Sequence, residues 1–509
     1  MSINIKRTEQ KRVVIVGGGL GGLRLAKDLL ALQKKHCCCK ENEGAQPLQV
    51  VLIDKNNYHQ FPPLIYQVAS AGLAPSNISF PFRQIFRKQK NFYFRMAEAR
   101  AVFPDKKILQ TSIGKIKYDY LVFAAGATTN FFGNKNVEEW AIPMRTLSES
   151  MGLRNVLLSN LERALTCATE EERQELLNVV IVGGGATGVE IAGAISEMKR
   201  YVIPYDYPDM DASHMHIYLL EATDRLLTGM SDESSKKALE FLKGMGVDVQ
   251  FGKMVTDYKD YRVTIKDGTS IPTRTFLWVS GIRAQSITGI DGDHLGRGFR
   301  IKVDEYNRVM GMDNIYAIGD QCLMTADPNY PNGHPQLAQV AIQQAKNLAA
   351  NLHILNNSNC ESVGNAAVGE NAKAVGENAK AVGENTKAVV KNGMAISENG
   401  EPKITPFRYK DLGSMATIGR NKAVADIHKV HSQGFLAWLL WLVVHLRSIL
   451  GIKNKLVVML SWAWQYFSYS GSIRTIVYAT KPRIIKERFK REAHTHLGTD
   501  LLEEENANE

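Results

Sequence analysis

The stretch Arg12-Val-Val-Ile-Val16, Gly17-Gly-Gly19-Leu-Gly-Gly22, Leu23-Arg-Leu-Ala-Lys-Asp-Leu-Leu30 decides the fold. It reads as an apolar strand, a tight glycine turn and the opening of a helix. Gly17, Gly19 and Gly22 divide three jobs: the turn itself, close approach of the backbone to a pyrophosphate, and tight helix–strand packing. The phosphates then meet the helix N-terminus, where unpaired N–H groups and the helix dipole attract negative charge. The next apolar run, Gln49-Val-Val-Leu-Ile53, ends in Asp54, an acid placed to accept hydrogen bonds from an adenosine ribose. About one domain further on the same order returns: Asn178-Val-Val-Ile-Val182, then Gly183, Gly185 and Gly188, a helical stretch from Val189 to Lys199, and a strand Met215 to Leu220 ending in Glu221. One such loop is a weak signal. Two, each between a strand and a helix and each matched by an acid, predict an α/β chain with two dinucleotide-binding, Rossmann-like domains.

With 509 residues, 44% apolar and 22% charged, the composition is that of a globular chain of two or three domains. The formal charge is +10, and it is unevenly spread. Between Phe435 and His494 ten Lys and Arg stand against Glu487 and Glu492, in a stretch also rich in Trp and Leu. Basic, aromatic and aliphatic residues together suit an anionic membrane surface. Nucleic acid is not expected, because no recognisable binding motif accompanies the charge. Of six cysteines, Cys37, Cys38 and Cys39 are consecutive and Cys167, Cys322 and Cys360 are scattered, so free thiols in a reducing cytoplasm are expected, with no metal site. The polar start MSINIKRTEQKR leads straight into a strand, and no signal peptide is expected.

Residues 364–391 repeat VGENAKA every seven residues, with a Gly in each repeat and little apolar mass. A surface insertion is expected there, not a coiled coil. Near the end, Gly434-Phe-Leu-Ala-Trp-Leu-Leu-Trp-Leu-Val-Val444 and Leu456 to Phe467 are apolar runs too short for the ~20 residues that span a bilayer. Lys453 and Lys455 separate them. Two short helices lying in a membrane interface are expected; a hydrophobic hairpin serving as a homodimer contact stays open beside that reading.

Further stretches carry a resemblance. Asn314-Ile-Tyr-Ala-Ile-Gly-Asp320 resembles the flavoprotein signature whose Asp binds the flavin's ribityl or pyrophosphate portion. Tyr120-Leu-Val-Phe-Ala-Ala-Gly126-Ala127 resembles the strand and glycine turn that close the first nucleotide domain of two-dinucleotide flavoproteins. Asn57-Tyr-His-Gln-Phe-Pro-Pro-Leu-Ile-Tyr-Gln67, Ala127-Thr-Thr-Asn-Phe-Phe-Gly133, Trp278-Val-Ser-Gly-Ile282, Ala338-Gln-Val-Ala-Ile-Gln-Gln344 and Phe407 to Arg420 are each similar to segments of one family, the type II (single-subunit, non-proton-pumping) NADH:quinone oxidoreductases.

The resemblance implies FAD on the Gly17 loop and NADH on the Gly183 loop. It implies electron transfer without proton pumping to a membrane quinone, ubiquinone or menaquinone, on the cytoplasmic face of a bacterial inner membrane. Glu221 would repel a 2′-phosphate and so favours NADH over NADPH, although Arg225 stands nearby. The implied organisation is an FAD-binding domain at 11–145 and 286–350, an NADH-binding domain at 146–285, the repeat insertion at 351–403 and a C-terminal membrane-docking domain at 404–490.

Gln339 and Gln343, four apart, share one helix face. Amides both donate and accept, which suits a quinone and its reduced form, and the resemblance favours that role over a solvated face. Glu190, two residues after Gly188, either complements the helix dipole or, as the resemblance implies, acts at the flavin–nicotinamide contact. A disulfide reductase would need a CxxxxC pair, and no Cys falls between Cys39 and Cys167. Sulfide:quinone oxidoreduction would need cysteines by the flavin, where only Cys322 lies beside a flavin motif. A non-catalytic, membrane-attached nucleotide sensor is the alternative from another class.

Overall fold

A computed structural model describes residues 3–37, 47–364, 389–391, 394–396, 404–428, 430–468 and 474–477. Cys38, Cys39, most of the VGENAKA repeat and the basic run from Lys481 to Arg491 lie outside these.

The chain opens with β1 (Arg12–Val16), α1 (Leu20–Cys37), β2 (Gln49–Asp54), the short helix α2 (Ile65–Ala69), β3 (Phe92–Met96), β4 (Tyr120–Phe123) and β5 (Ala127–Thr129). The long helix α3 (Leu147–Ala164) follows; Thr146 and Glu149 close a reciprocal capping box at its start. The second glycine unit comprises β6 (Val179–Val182), α4 (Ala186–Tyr201), β7 (Ile217–Leu220), α5 (Asp232–Gly244), β8 (Val247–Gln250) and β9 (Thr275–Trp278). The chain returns through β10 (Ile282–Ala284) to β11 (Ile315–Ala317) and α6 (Ala338–Gly364).

Two parallel sheets result, in the orders β11-β4-β1-β2-β3 and β8-β7-β6-β9. In each, the strand before the glycine loop is central and its residues are buried, as Val13, Val14 and Ile15 are. That accounts for the continuous apolar runs in the sequence. β5 pairs antiparallel with β10, Ala127 opposite Ala284, and ties the two chain crossings together. Leu25, Ala26 and Leu29 of α1 pack with Ala345, Leu348, Ala349 and Leu352 of α6. Each buried leucine contributes roughly 1.5–3 kcal/mol. α6 itself runs on to Gly364, so the break expected at 351 falls inside a helix. Asn351 also exchanges two 2.9 Å hydrogen bonds with Thr405, fastening the returning chain to α6.

The C-terminal part is an antiparallel sheet, β12 (Ser414–Gly419), β13 (Lys422–Ile427) and β14 (Val430–Gln433), followed by helices α7 (Phe435–Ser448) and α8 (Ile452–Ser468). β12 crosses α4 at Gly193, where a Cβ would lie 1.7 Å from the Ile418 carbonyl oxygen. Inwardly, Trp441 is buried and Trp462 Nε1 donates to Gln67 Oε1 at 2.8 Å. Outwardly, Ile452, Leu456, Leu460, Trp464 and Phe467 recur at helical spacing and are exposed, with Leu436, Leu439 and Val443 beside them on α7. No helix among the described residues is long and apolar enough to cross a membrane.

Candidate active site at the glycine loops and the C-terminal helices

Both glycine loops have the same construction. Gly17 and Gly183 adopt φ of +100° and +117°, which L side chains rarely do. A Cβ on Gly22 would meet the Gly17 carbonyl oxygen at 1.9 Å, and one on Gly188 would meet that of Gly183 at the same distance. These two glycines let helix and strand close together. Gly19 and Gly185 instead face open space, nothing lying within 4 Å of an added Cβ. That is the surface a pyrophosphate needs for close backbone approach.

The acids complete each loop. Asp54 accepts from Gly18 N at 2.6 Å and Asn56 N at 2.7 Å. Burial raises its pKa, and those N–H groups oppose the rise. Glu221 accepts from Gly184 N at 2.5 Å and from Thr223 N at 2.8 Å.

A cavity of about 500 Å³ extends from the first loop, within the usual range for a bound organic ligand. Gly17, Gly19, Asp54, Gly126 and Asp320 line it, and at its far end Thr187, Trp278, Val279, Gly281 and Ile282 of the second unit close it. Gly22 packs behind it, while Gly183, Gly185, Gly188 and Glu221 form the second loop outside it. Asp320 sits 3.5 Å from Arg145; burial raises its pKa, and Arg145 and Arg300 oppose that.

Several supporting residues were not read from the sequence. His59, buried, places Nδ1 2.9 Å from Gly18 O, and desolvation lowers its pKa to about 4. The neutral ring therefore carries its proton on Nδ1 and pins the first loop. Gln321 accepts from Ala125 N at 2.7 Å and donates to Gln285 O at 2.7 Å, while Gln344 accepts from Gly319 N at 2.7 Å. Gln60 joins the first loop's side to α3 through Arg145 O and Leu147 N, both at 2.9 Å. The only local signals were a Gln directly after Gly-Asp and the third Gln of Ala338 to Gln344.

Gln339 and Gln343 line neither this cavity nor the next. Gln339 donates to Gly413 O at 3.2 Å and accepts from Leu412 N at 3.0 Å. Gln343 donates to Lys410 O at 2.8 Å and accepts from Lys410 N at 3.1 Å. Their shared face meets the 410–413 backbone, which an amide's paired donor and acceptor suit well. Ala338 and Ala341 of the same helix do reach the large cavity.

Glu190 lines a second, narrower cavity of about 160 Å³ between α2, α4, β12 and the two C-terminal helices. Trp438, Trp441 and Trp462 wall it; Tyr66, Gln67, Glu197 and Arg420 add polar groups. Part of Glu190 remains exposed, but into this cavity. Desolvation raises its pKa to about 8, opposed by the Thr417 N–H. Glu197 is also raised by desolvation, against the Arg420 N–H that donates to it at 2.5 Å. Burial and the nearby Glu190 raise the Tyr66 phenol too.

Comparison with known proteins agrees with this geometry. Residues 11–345 match the pyridine nucleotide-disulphide oxidoreductase family, and residues 412–468 match the NDH2 C-terminal domain. The chain is 30% identical to the type II NADH:quinone oxidoreductase Ndh of Mycobacterium tuberculosis over 474 residues, covering 90% of this chain and 88% of that one. NdhA of the same organism is 31% identical over 479 residues, 91% and 88% respectively. Among solved structures, NDH2 from Plasmodium falciparum in complex with NADH superposes with a TM-score of 0.73 at 20% identity, covering 92% of this chain and all of that one, which speaks to the fold alone. Two matched glycine cradles, two matching family models and relatives alike over nearly their whole length lead to one statement: the chain belongs to the type II NADH:quinone oxidoreductase family.

Proposed function

We propose that this chain oxidises NADH and passes the two electrons through FAD to a membrane quinone, without proton pumping. The observation that carries the reading is that the large cavity starting at the first glycine loop ends against the second unit at Thr187, Trp278 and Val279, while Glu190, on the same helix as Thr187, faces an aromatic cavity beneath the C-terminal hairpin.

The large cavity fits FAD. Gly19 leaves room for the pyrophosphate, Asp54 stands ready for the adenosine ribose, and Asp320 is held at the cavity wall near Arg145. Bound there, FAD supplies a two-electron carrier between a hydride donor and a quinone. The residues supply position and protons. Gly185 and the α4 N-terminus hold the NADH pyrophosphate, Glu221 its adenosine ribose. Glu190 keeps a proton at neutral pH, so it can donate a hydrogen bond to a quinone carbonyl in the aromatic cavity. Gln339 and Gln343 act one step back, as positioning residues that hold the 410–413 segment against α6.

The exposed apolar faces of α7 and α8, with Arg447, Lys453 and Lys455 around them, dock on an anionic bilayer on the side where NADH is supplied, the bacterial cytoplasm. A second copy of the chain is the other occupant the hairpin could take, read by light scattering with and without vesicles. The whole reading is tested by titrating the flavin spectrum of purified protein with NADH and then a soluble quinone, alongside steady-state NADH oxidation. FAD that NADH bleaches and quinone restores is expected; bound FAD without a quinone-dependent rate overturns the reading.

A further inference from the structure

Glu221 is not the only charged residue at the second glycine loop. The segment after Glu221 folds back on the loop: Leu227 N donates to Gly184 O at 2.9 Å, and a Cβ on Gly184 would strike Leu226 at 2.7 Å and Glu221 at 3.0 Å. Arg225 therefore sits beside the ribose end of the cradle. Lys253 is as close by backbone, its N–H donating to Glu221 O at 3.0 Å. These are two residues of the type that recognise a 2′-phosphate.

Each is already occupied. Arg225 pairs with Asp232, and its second terminal nitrogen donates to Thr228 O at 2.9 Å and Met230 O at 3.2 Å. A guanidinium so placed has both terminal nitrogens engaged by the protein. Lys253 Nζ is hydrogen-bonded to Asp267, which is held in turn by Thr269 N at 2.9 Å and has its pKa lowered by that lysine. The loop that presents Arg225's acceptors is fixed from outside. Asp426 of β13 accepts from Ser231 N and Ser234 Oγ, both at 2.7 Å. The carbonyls of Thr228 and Met230 are thus anchored, and Arg225 cannot swing to the ribose without leaving three acceptors behind.

We infer that Asp232 and Asp267 are specificity-determining residues, excluding NADPH by neutralising the two cations that could accept its 2′-phosphate. The inference rests on NADH binding at the Gly183 loop. A 2′-phosphate then meets the Glu221 carboxylate while Arg225 and Lys253 stay paired, so discrimination survives in part when Glu221 alone is neutralised.

The test uses the full flavin-loaded chain as Glu221→Gln, Glu221→Gln with Asp232→Asn, that pair with Arg225→Ala, and Glu221→Gln with Asp267→Asn. Two quantities are read: the NADPH:NADH ratio of kcat/KM, and calorimetric binding of 2′,5′-ADP against ADP. Adding Asp232→Asn should raise both preferences about tenfold, the value of one freed charge-assisted hydrogen bond, and Arg225→Ala should remove the gain. Asp267→Asn, on an exposed hairpin, should give a smaller gain through Lys253 and decides the matter should the Asp232 variant fail to fold. A merely structural role would weaken ADP and 2′,5′-ADP equally. Changes below twofold in the folded variants overturn the inference. Absence of NADH turnover in the unmodified chain would instead count against the proposed activity, and the nucleotide-binding arm would still be read.

Discussion

Gly193→Ala should wedge the C-terminal sheet off α4. At this position an added Cβ would lie 1.7 Å from the Ile418 carbonyl oxygen and 2.7 Å from its carbon, with the Ile418 Cα a further 3.4 Å contact. The neighbour is backbone within a paired strand, so no rotamer change relieves the clash. Separation must grow by about 1.7–2 Å to reach ordinary contact. Overpacking of this kind costs about 1–3 kcal/mol, and the rigid neighbour places this case at about 3 kcal/mol. The same displacement draws Thr417 from Glu190 and Arg420 from Glu197, which opens the aromatic cavity while leaving both glycine loops untouched. Urea unfolding followed by tryptophan fluorescence is the assay, since Trp438, Trp441, Trp462 and Trp464 all lie in the hairpin. Flavin reduction by NADH should persist while quinone-dependent turnover falls by more than tenfold. A variant within 0.5 kcal/mol (about the spread of innocuous surface changes) and with unchanged quinone kinetics would refute the packing argument.

Gly185→Ala should leave stability unchanged, since nothing lies within 4 Å of the new methyl, yet raise KM for NADH about tenfold or more by blocking the pyrophosphate; equal KM values count against the second cradle. Glu190 has a folded pKa raised from 4.5 to about 8, so the native chain binds the extra proton and stability falls as pH rises through that window, by about 4–5 kcal/mol in all. Glu190→Gln should flatten that slope, and parallel pH–stability profiles of the two proteins would exclude it. Leu460→Glu with Phe467→Glu, at positions 64% and 83% exposed, should leave the melting temperature alone and abolish flotation with anionic vesicles; unchanged flotation argues against the hairpin as the anchor. Gln343→Ala should cost about 0.5–1.5 kcal/mol by trading its two bonds to the Lys410 N–H and carbonyl for water, and a neutral effect in thermal unfolding would deny the amide its holding role.

Both loops were legible because each glycine's job is decided within a few residues: a positive φ at Gly17, an open face at Gly19, a helix closing over Gly22. Asp54 and Glu221 were legible for a related reason, since a strand end fixes where its last side chain stands. What escaped the sequence was long-range. His59 touches a carbonyl 41 positions away and Gln321 an amide 196 positions away, and neither has a local pattern. The spacing of Gln339 and Gln343 says that they share a face, not what meets it, and the 410–413 backbone is an equally good partner for two amides. Gly193 inside a helical run signals only a weaker helix until the strand that crosses it is known. The boundary at 351 was read from a change of composition, whereas α6 packs on α1 as far as Leu352 and stays helical beyond it.

The two cavities draw lining residues from the same two helices. Ile65 lines the large one and Tyr66 the small one, on adjacent positions of α2; Thr187 and Glu190, less than one turn apart on α4, divide in the same way. One helical turn rises 5.4 Å, so Thr187 at the large cavity and Glu190 at the small one are held at a near-fixed separation by backbone hydrogen bonds, not by loops. The α4 N-terminus lies at the Gly185 loop, and its middle is gripped by β12 at Gly193. A single rigid rod thus sets the register of the second glycine loop and of the Glu190 carboxyl beneath the hairpin. The C-terminal sheet therefore does more than carry α7 and α8: by clamping α4 it fixes Glu190 relative to both cavities, which is why a methyl group at Gly193 should be felt in quinone turnover before it is felt at the nucleotide loops.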